Sequence, residues 1–523
     1  MFFCFALTWG VHARAVLQAP MLEDDFLAGR PWTAAEVRAT WHGSWNQGGD
    51  ADHHYRPMTA LYYAAAFDLF GWNTTARHGV SLAELALAAW LLALFVARER
   101  GAAAGSVIAA LYISHPLVPS AAVAWTFNQM HQVITLLVLA AMLVWQRVRT
   151  GGWTGWLPVL GLITIGVLFK EDTIVVIPVL LAWHQLRAWW VGDIDPVPPK
   201  VWALAAATVA GLVLLRVAAY PDSEWMRVPM LASGRTGLAL ECLKHGLGWM
   251  GPAWDLKVPV AASTIAVGIV AMGLMSAARR HRTIDAWLTV SALTFVLAAA
   301  APLTLVANTH HTRSHLIALG SAMLIGAALL SALRWWRRPA FAAPLIVAAL
   351  AMLILFSRGA VAMDRYFWAC QPNMIESAGF AATDYPWLDP DVRRWLLTQA
   401  QQCAAGTLQS EIRALPVVVW HPPVDWPAAP HATVALLSQR TGTAVVTLRA
   451  PAARPDAPVG VRLSTDTVTQ QLDLTSAEWQ TARVPLVPNW RFWLRQSHLL
   501  WIVGPRAADR IEVSGIRLLP AAE

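Results

Sequence analysis

The residues able to do chemistry in this chain fall in short polar stretches between long apolar ones. Asp24 and Asp25 stand side by side in Met21-Leu-Glu-Asp-Asp-Phe26, and His53-His54-Tyr55-Arg56-Pro57 follows in the same loop, ahead of an apolar helix expected over Met58 to Phe70. Charge kept between hydrophobic segments is expensive and reads as functional. Consecutive aspartates point different ways, so one can accept a hydroxyl proton as general base while the other binds a metal or holds the loop. An unshifted aspartate is already ionised at neutral pH and needs only hydrogen-bond reach of its proton. The plain alternative is a helix N-cap or a solvated loop acid. Arg56 suits two-pronged contact with a phosphate, or snorkelling toward lipid headgroups. Lys170, beside Glu171 and Asp172, offers a phosphate ligand whose carboxylate neighbours hold it or a metal, or else a plain ion pair. His53-His54 and His310-His311 are imidazole pairs open to a divalent metal, although adjacent histidines rarely aim at one ion and no His-Glu-x-x-His motif is present. His115, before Pro116, is expected in a turn or extended segment at a helix end, bonding backbone carbonyls or touching substrate.

The elements that must position these groups follow from composition. Hydrophobic residues make up 57% of the 523 and charged residues only 14%. Repeated apolar runs of roughly 18 to 25 residues fit a polytopic membrane protein, and 29 tryptophans suit many membrane–water boundaries. The net charge of +7 lies in short basic clusters between apolar runs, which fits insertion topology and excludes a nucleic-acid partner. Cys4, Cys242, Cys370 and Cys403 contain no Cys-x-x-Cys pair, so a zinc ribbon is unsupported.

Helices are expected over His78–Ala97, a run ending near Ser120, Val123–Trp145, Trp153–Phe169, Thr173–Trp190, Val201–Ala219, Val258–Ala278, Ile284–Ala307, His315–Leu333 and Phe341–Phe356. With a short first segment over Met1 to Ala19, that makes about eleven spans. The clusters Arg98–Arg100, Arg147 with Arg149, Lys200, Arg279–Arg282 and Arg334–Arg338 occupy alternate connections, so one topology puts all five in the cytoplasm. Asp24, Asp25, His54, Arg56, His115, Lys170, Glu171, Asp172, His311 and Arg313 then share the other, extracytoplasmic face.

The same count places everything after Ser357 outside. Three regions are expected: a membrane domain over 1–357 with its first loop at 21–77, a partly helical connector over 358–414, and a small extracytoplasmic β domain over 415–523. Short runs such as Thr433–Leu437, Ala444–Leu448 and Leu499–Val503, separated by Pro and Gly, predict a β-sandwich. In the last run, Arg510–Leu519, Ile511 and Val513 share a face, and Gly515 marks a bulge that resets the phase. Cys370 and Cys403 stand at the two ends of the polar stretch Asp364 to Gln402, and an oxidising compartment would leave them open to pairing.

The order of motifs resembles that of GT-C-fold glycosyltransferases that use polyprenyl-phosphate sugars, and within them the protein O-mannosyltransferases of the branch that carries tetratricopeptide repeats. The resemblance rests on His54-Tyr-Arg-Pro-Met-Thr59 continuing to His78, His115-Pro116, Ala124-Trp125, Phe169-Lys-Glu171, and the looser Arg313 to Gly320. It covers Met21 to Gly320; the repeats are missing and the C-terminal region looks β instead. It implies an inner-membrane, cell-envelope enzyme of the bacterial type, with Asp25 or Asp24 as catalytic base. Arg56, Lys170 and Arg313 would take the lipid phosphate, supported by His54, Tyr55, His115, Glu171, Asp172 and His311. Implied partners are a polyprenyl-phosphate sugar, a glycan, lipid or protein acceptor, and membrane lipid. A surface-polysaccharide polymerase or ligase shares this donor chemistry, and a lipid-linked glycan flippase or transporter is the non-enzymatic alternative. Transporters place their charges near mid-membrane on broken helices.

Overall fold

The computed structural model describes residues 1–17, 31–43, 55–71, 73–116, 129–219, 257–279, 283–305, 315–335, 339–369, 417–420, 432–495, 497–504 and 511–521. The chain is an α-helical polytopic membrane protein with a C-terminal β-sandwich. It divides into two compact units, Met1–Ala19 with His78–Trp368, and Pro20–Arg77 with Ala369–Glu523. The second unit therefore joins the first loop to the C-terminal region across the length of the chain. Cys370, Cys403 and most of the connector lie outside the described residues.

In chain order the helices are α1 (Phe2–Thr8), running on through a π-helical stretch to Ala13, α2 (Ala34–Ala39) and α3 (Pro57–Phe70). Next come α4 (Thr74–Arg100), α5 (Ala102–Ile113), α6 (Gln129–Val148), α7 (Trp156–Phe169), α8 (Val176–Trp190) and α9 (Pro199–Ala219). The last of the bundle are α10 (Lys257–Arg279), α11 (Ile284–Leu305), α12 (His315–Trp335) and α13 (Pro339–Ala369). Each of the eleven expected spans contains a helix, but among the described residues only six helices are long and apolar enough to cross a membrane: α4, α6, α9, α10, α12 and α13. Four shorter apolar helices accompany them. α7, at 14 residues, is about 21 Å long against a hydrocarbon core of about 30 Å. Two boundaries differ from expectation. The helix expected from Thr173 opens instead as a 3-10 turn, Glu171–Val175, and α13 runs to Ala369 rather than stopping near Phe356.

α12 is the centre of the first unit, buried along nearly its whole length. Lipid tails give helices no hydrophobic reason to associate, so small residues that permit close approach decide membrane packing. Gly326 faces Ile108 of α5, Gly320 faces Phe295 and Val296 of α11, and a Cβ on Gly273 of α10 would run into the backbone of Ala328. Gly273→Val is expected to destabilise the bundle by about 1–3 kcal/mol, the usual cost of overpacking, read as a lowered unfolding temperature in detergent.

Arg100, Arg149, Arg187 and Arg334 gather around two acids of this bundle. Glu99 pairs with Arg149 and, at 2.8 Å, with Arg187, whose guanidinium also holds Asp193 at 2.6 Å. Asp285 takes Arg100 and, at 2.9 Å, Arg334, while Arg279 lies 4.8 Å over the ring of Trp335. Helices that run in alternate directions are thus clamped together where their basic ends meet, and the alternation read from the sequence is realised in space.

In the second unit a capping box of Thr33 and Glu36 starts α2, and Pro57 starts α3, which ends at Gly71 with φ +52°. The β domain has eight strands: β1 (Val417–Trp420), β2 (Ala432–Leu437), β3 (Gly442–Arg449), β4 (Val459–Ser464), β5 (Thr469–Leu474), β6 (Gln480–Leu486), β7 (His498–Val503) and β8 (Glu512–Leu519). They form two antiparallel sheets, ordered β1-β2-β7-β4-β5 and β6-β3-β8. Alternate residues of both, among them Val446, Leu448, Val461, Val484 and Ile502, fill one core. β8 carries the expected bulge: Thr447 pairs with Gly515 but Leu448 with Val513. Ile511 and Val513 before it, and Ile516 and Leu518 after it, all reach the core. β4 and a short helix, α14 (Trp490–Arg495), were not expected from the sequence.

His498 at the start of β7 is buried and donates from Nε2 to the Arg440 carbonyl at 2.9 Å. Burial pushes its pKa below the ordinary 6.5, against the opposing pull of that carbonyl. The unfolded imidazole binds a proton that the folded one refuses, so this stability is complete above pH 6.5 and is lost as pH falls through the depressed folded value. Hydrogen-exchange protection of the β7 amides in the full chain, corrected for intrinsic rates, is expected to weaken from about pH 7.5 to about pH 5.5. His498→Gln is expected to flatten that dependence.

Candidate active site

At the end of the bundle opposite the arginines, α7 stops because Lys170 turns extended, with φ −160° and ψ 132°. Its amide still bonds Gly166 at 2.9 Å, which closes the last helical turn. The tight turn Glu171–Val175 then reverses the chain into α8. Lys170 is 5% exposed, in a region of the protein built from apolar helices. Its ammonium reaches Asp172 at 3.3 Å and His131 Nε2 at 2.9 Å. An ammonium can only donate, so Nε2 of His131 accepts and that ring carries its proton on Nδ1.

His131 stacks flat on His315, with ring centres 4.3 Å apart and planes 6° from parallel. His315 opens α12 and is buried, and neither of its ring nitrogens has a hydrogen-bond partner among the described residues. At the first position of α6, just ahead of His131, buried Gln129 donates to Ser81 of α4 at 2.6 Å. Glu171 faces Arg216, near the end of α9, at 3.7 Å. α4 therefore runs from this polar end, where the chain arrives from the first loop, to Glu99 at the arginine end.

The expected site residues are distributed as follows. Lys170 and Asp172 form an ion pair, and Glu171 faces another helix. His115 is fully buried, edge-on to Phe356 with ring centres 5.3 Å apart, and sits at the turn that its proline predicts. In the second unit Tyr55 and Arg56 are both buried at the start of α3. The Tyr55 hydroxyl donates to the Trp41 carbonyl at 3.4 Å, and burial raises its pKa above the usual 10.0. Asp24, Asp25, His54, His311 and Arg313 lie outside the described residues. Among the described residues no three His, Cys, Asp or Glu side chains converge as they would on a metal ion. His131 and His315 escaped sequence reasoning because each is a lone imidazole at the head of an apolar run, 184 positions apart in the chain.

No family model and no curated protein matches the sequence. Among solved structures the chain is similar to the Archaeoglobus fulgidus oligosaccharyltransferase in its apo form, at 13% identity over 75% of this chain and 59% of that one, with a TM-score of 0.47. The same protein tethered with an acceptor peptide containing the NVT sequon gives 13% identity, 75% and 58% coverage, and a TM-score of 0.45. An arabinosyltransferase from Mycobacterium smegmatis gives 11% identity, 99% and 64% coverage, and a TM-score of 0.31. The chain spans less than two thirds of the length of each of these structures.

Proposed function

We propose that the chain is a membrane glycosyltransferase of the GT-C kind that moves a sugar from a polyprenyl-phosphate donor to an acceptor hydroxyl on the extracytoplasmic face. The observation that carries this reading is the buried Lys170, aimed by a neutral imidazole and a carboxylate at the mouth of an apolar bundle. A charge in that position is costly, and it gathers at one end of the bundle rather than at mid-membrane, which favours interfacial chemistry over transport.

The donor enters laterally from the bilayer, with its phosphate against Lys170; Arg56 and Arg313 stay phosphate ligands by sequence resemblance alone. Asp25 takes the acceptor proton as the anomeric carbon leaves the lipid phosphate for the acceptor oxygen, in one displacement that inverts the anomeric centre. Cations on the departing phosphate stabilise charge that grows in the transition state, which is usually the largest catalytic contribution. Asp24 holds the loop or a divalent metal; EDTA-sensitive transfer would assign it the metal, and EDTA-insensitive transfer the loop. The arginine end faces the cytoplasm, and passage of the chain from the first loop into α4 supports the opposite side for Asp25.

The test is transfer by the purified chain in nanodiscs supplied with labelled polyprenyl-phosphate sugars and an acceptor extract. Label is expected to reach the acceptor from a lipid-phosphate donor without any nucleotide sugar. Movement of intact labelled lipid between leaflets without transfer would overturn the enzyme reading. Change in polymer length on deletion, rather than loss of one decoration, would identify a polymerase.

A further inference from the structure

The short helix α14 of the β domain has two unlike faces. Inward, Phe492 is buried with its ring centre 4.6 Å from that of His498, and Arg495 is buried in an ion pair with Asp466 at 2.8 Å. Asn489 caps the first turn, accepting from the amides of Arg491 at 2.9 Å and Phe492 at 3.1 Å. Outward, Trp490 is 59% exposed and Trp493 56%, with exposed Leu494 beside them and exposed Val487 just ahead of the helix. A helix pinned this firmly from within presents its indoles outward as a fixed feature of the surface.

Its position says what meets them. The Leu494 carbonyl accepts from Asn73 Nδ2 at 2.6 Å, and Arg491 pairs with Asp68 at 3.0 Å. Asn73 is the residue immediately before α4, whose stretch Thr75–Arg100 is long and apolar enough to cross a membrane. The helix that carries the indoles is thus hydrogen-bonded to the residue that precedes a helix long and apolar enough to cross a membrane. Guanidinium groups stand over both rings, Arg440 at 4.3 Å from the Trp493 ring centre and Arg491 at 5.4 Å from that of Trp490. Indole, leucine and arginine together are the composition of a membrane–water boundary, where the ring settles at headgroup depth and the cation reaches phosphate.

We infer that α14 is a membrane-contacting foot of the β domain. Trp490, Trp493 and Leu494 insert among the headgroups of the leaflet that α4 enters, and Arg440 meets lipid phosphate there. The inference rests on α4 crossing the membrane and is independent of the transfer reaction.

The test uses the full chain in nanodiscs of mixed zwitterionic and anionic lipid, with Cys4, Cys242, Cys370 and Cys403 replaced by Ser. A nitroxide is placed at Trp493→Cys or at Trp490→Cys. The comparator is Trp479→Cys, another exposed tryptophan of the same domain with an arginine, Arg449, 4.6 Å over its ring, but outside α14. The ratio of oxygen to nickel-chelate accessibility is expected to be several-fold higher at 490 and 493 than at 479. Equal ratios at all three would overturn the inference. So would spin–spin broadening at 493 that marks a second copy, or immobilisation at 493 only when soluble oligosaccharide is added.

Discussion

Replacing Asp25 by asparagine is expected to lower sugar transfer by about 10²–10⁴-fold, the range a positioned general base contributes. Asparagine keeps the size and hydrogen-bonding capacity of the side chain but cannot carry away the acceptor proton. Asp24→Asn is expected to lose less, because its assigned work is holding the loop or a metal. Single-turnover transfer of labelled sugar in nanodiscs separates the two. Wild-type turnover in both variants would leave the reaction without its proposed base. An acidic limb in the wild-type pH–rate profile that disappears in Asp25→Asn ties the loss to proton transfer and not to loop geometry.

Lys170→Met is expected to lower kcat/KM for the donor by about 10²–10³-fold, as loss of one preorganised electrostatic contact does. The same change leaves the partly buried Asp172 without its ammonium, and breaking one side of a buried pair costs at most about 3–5 kcal/mol of stability. Reduced transfer alone is therefore ambiguous. The double variant Lys170→Met with Asp172→Asn removes both charges and is expected to recover thermal stability. Transfer that stays low in that stable double variant assigns Lys170 to the donor phosphate; transfer that returns with stability makes it a strut. His315→Phe keeps the flat ring stacked on His131 and gives a milder probe of how firmly Lys170 is aimed.

How far the chain could be read in advance depended on whether the signal was local. The membrane helices were legible because apolar length is written residue by residue, and the alternating topology because arginine clusters mark every second connection. Gly515 announced its bulge because a change of phase in β8 shows as a change in which residues are apolar. β4 was legible in principle: Val459, Val461 and Leu463 alternate as a half-buried strand should, but Gly460 and the prolines nearby read as a turn. α14 has six residues and only Asn489 as its start signal, too little for periodicity to act on. The polar cluster was half visible. Lys170-Glu171-Asp172 stands out against its apolar flanks, whereas His131 and His315 become partners only when α6 and α12 pack side by side.

The pairing of the first loop with the β domain also sets an order of events in the making of the protein. Asp68 and Arg491 are 423 positions apart, and Asn73 and Leu494 are 421. At about 5–20 residues per second, a ribosome needs on the order of 20–90 seconds to travel from one to the other. For that interval α3 exists while α14, against which it packs, does not. The segment that holds Asp68 and Asn73 is thus synthesised well before the partner it pairs with. A chain interrupted before α14 would carry all six of the long apolar helices found among the described residues and still lack the contacts that Asp68 and Asn73 make with α14.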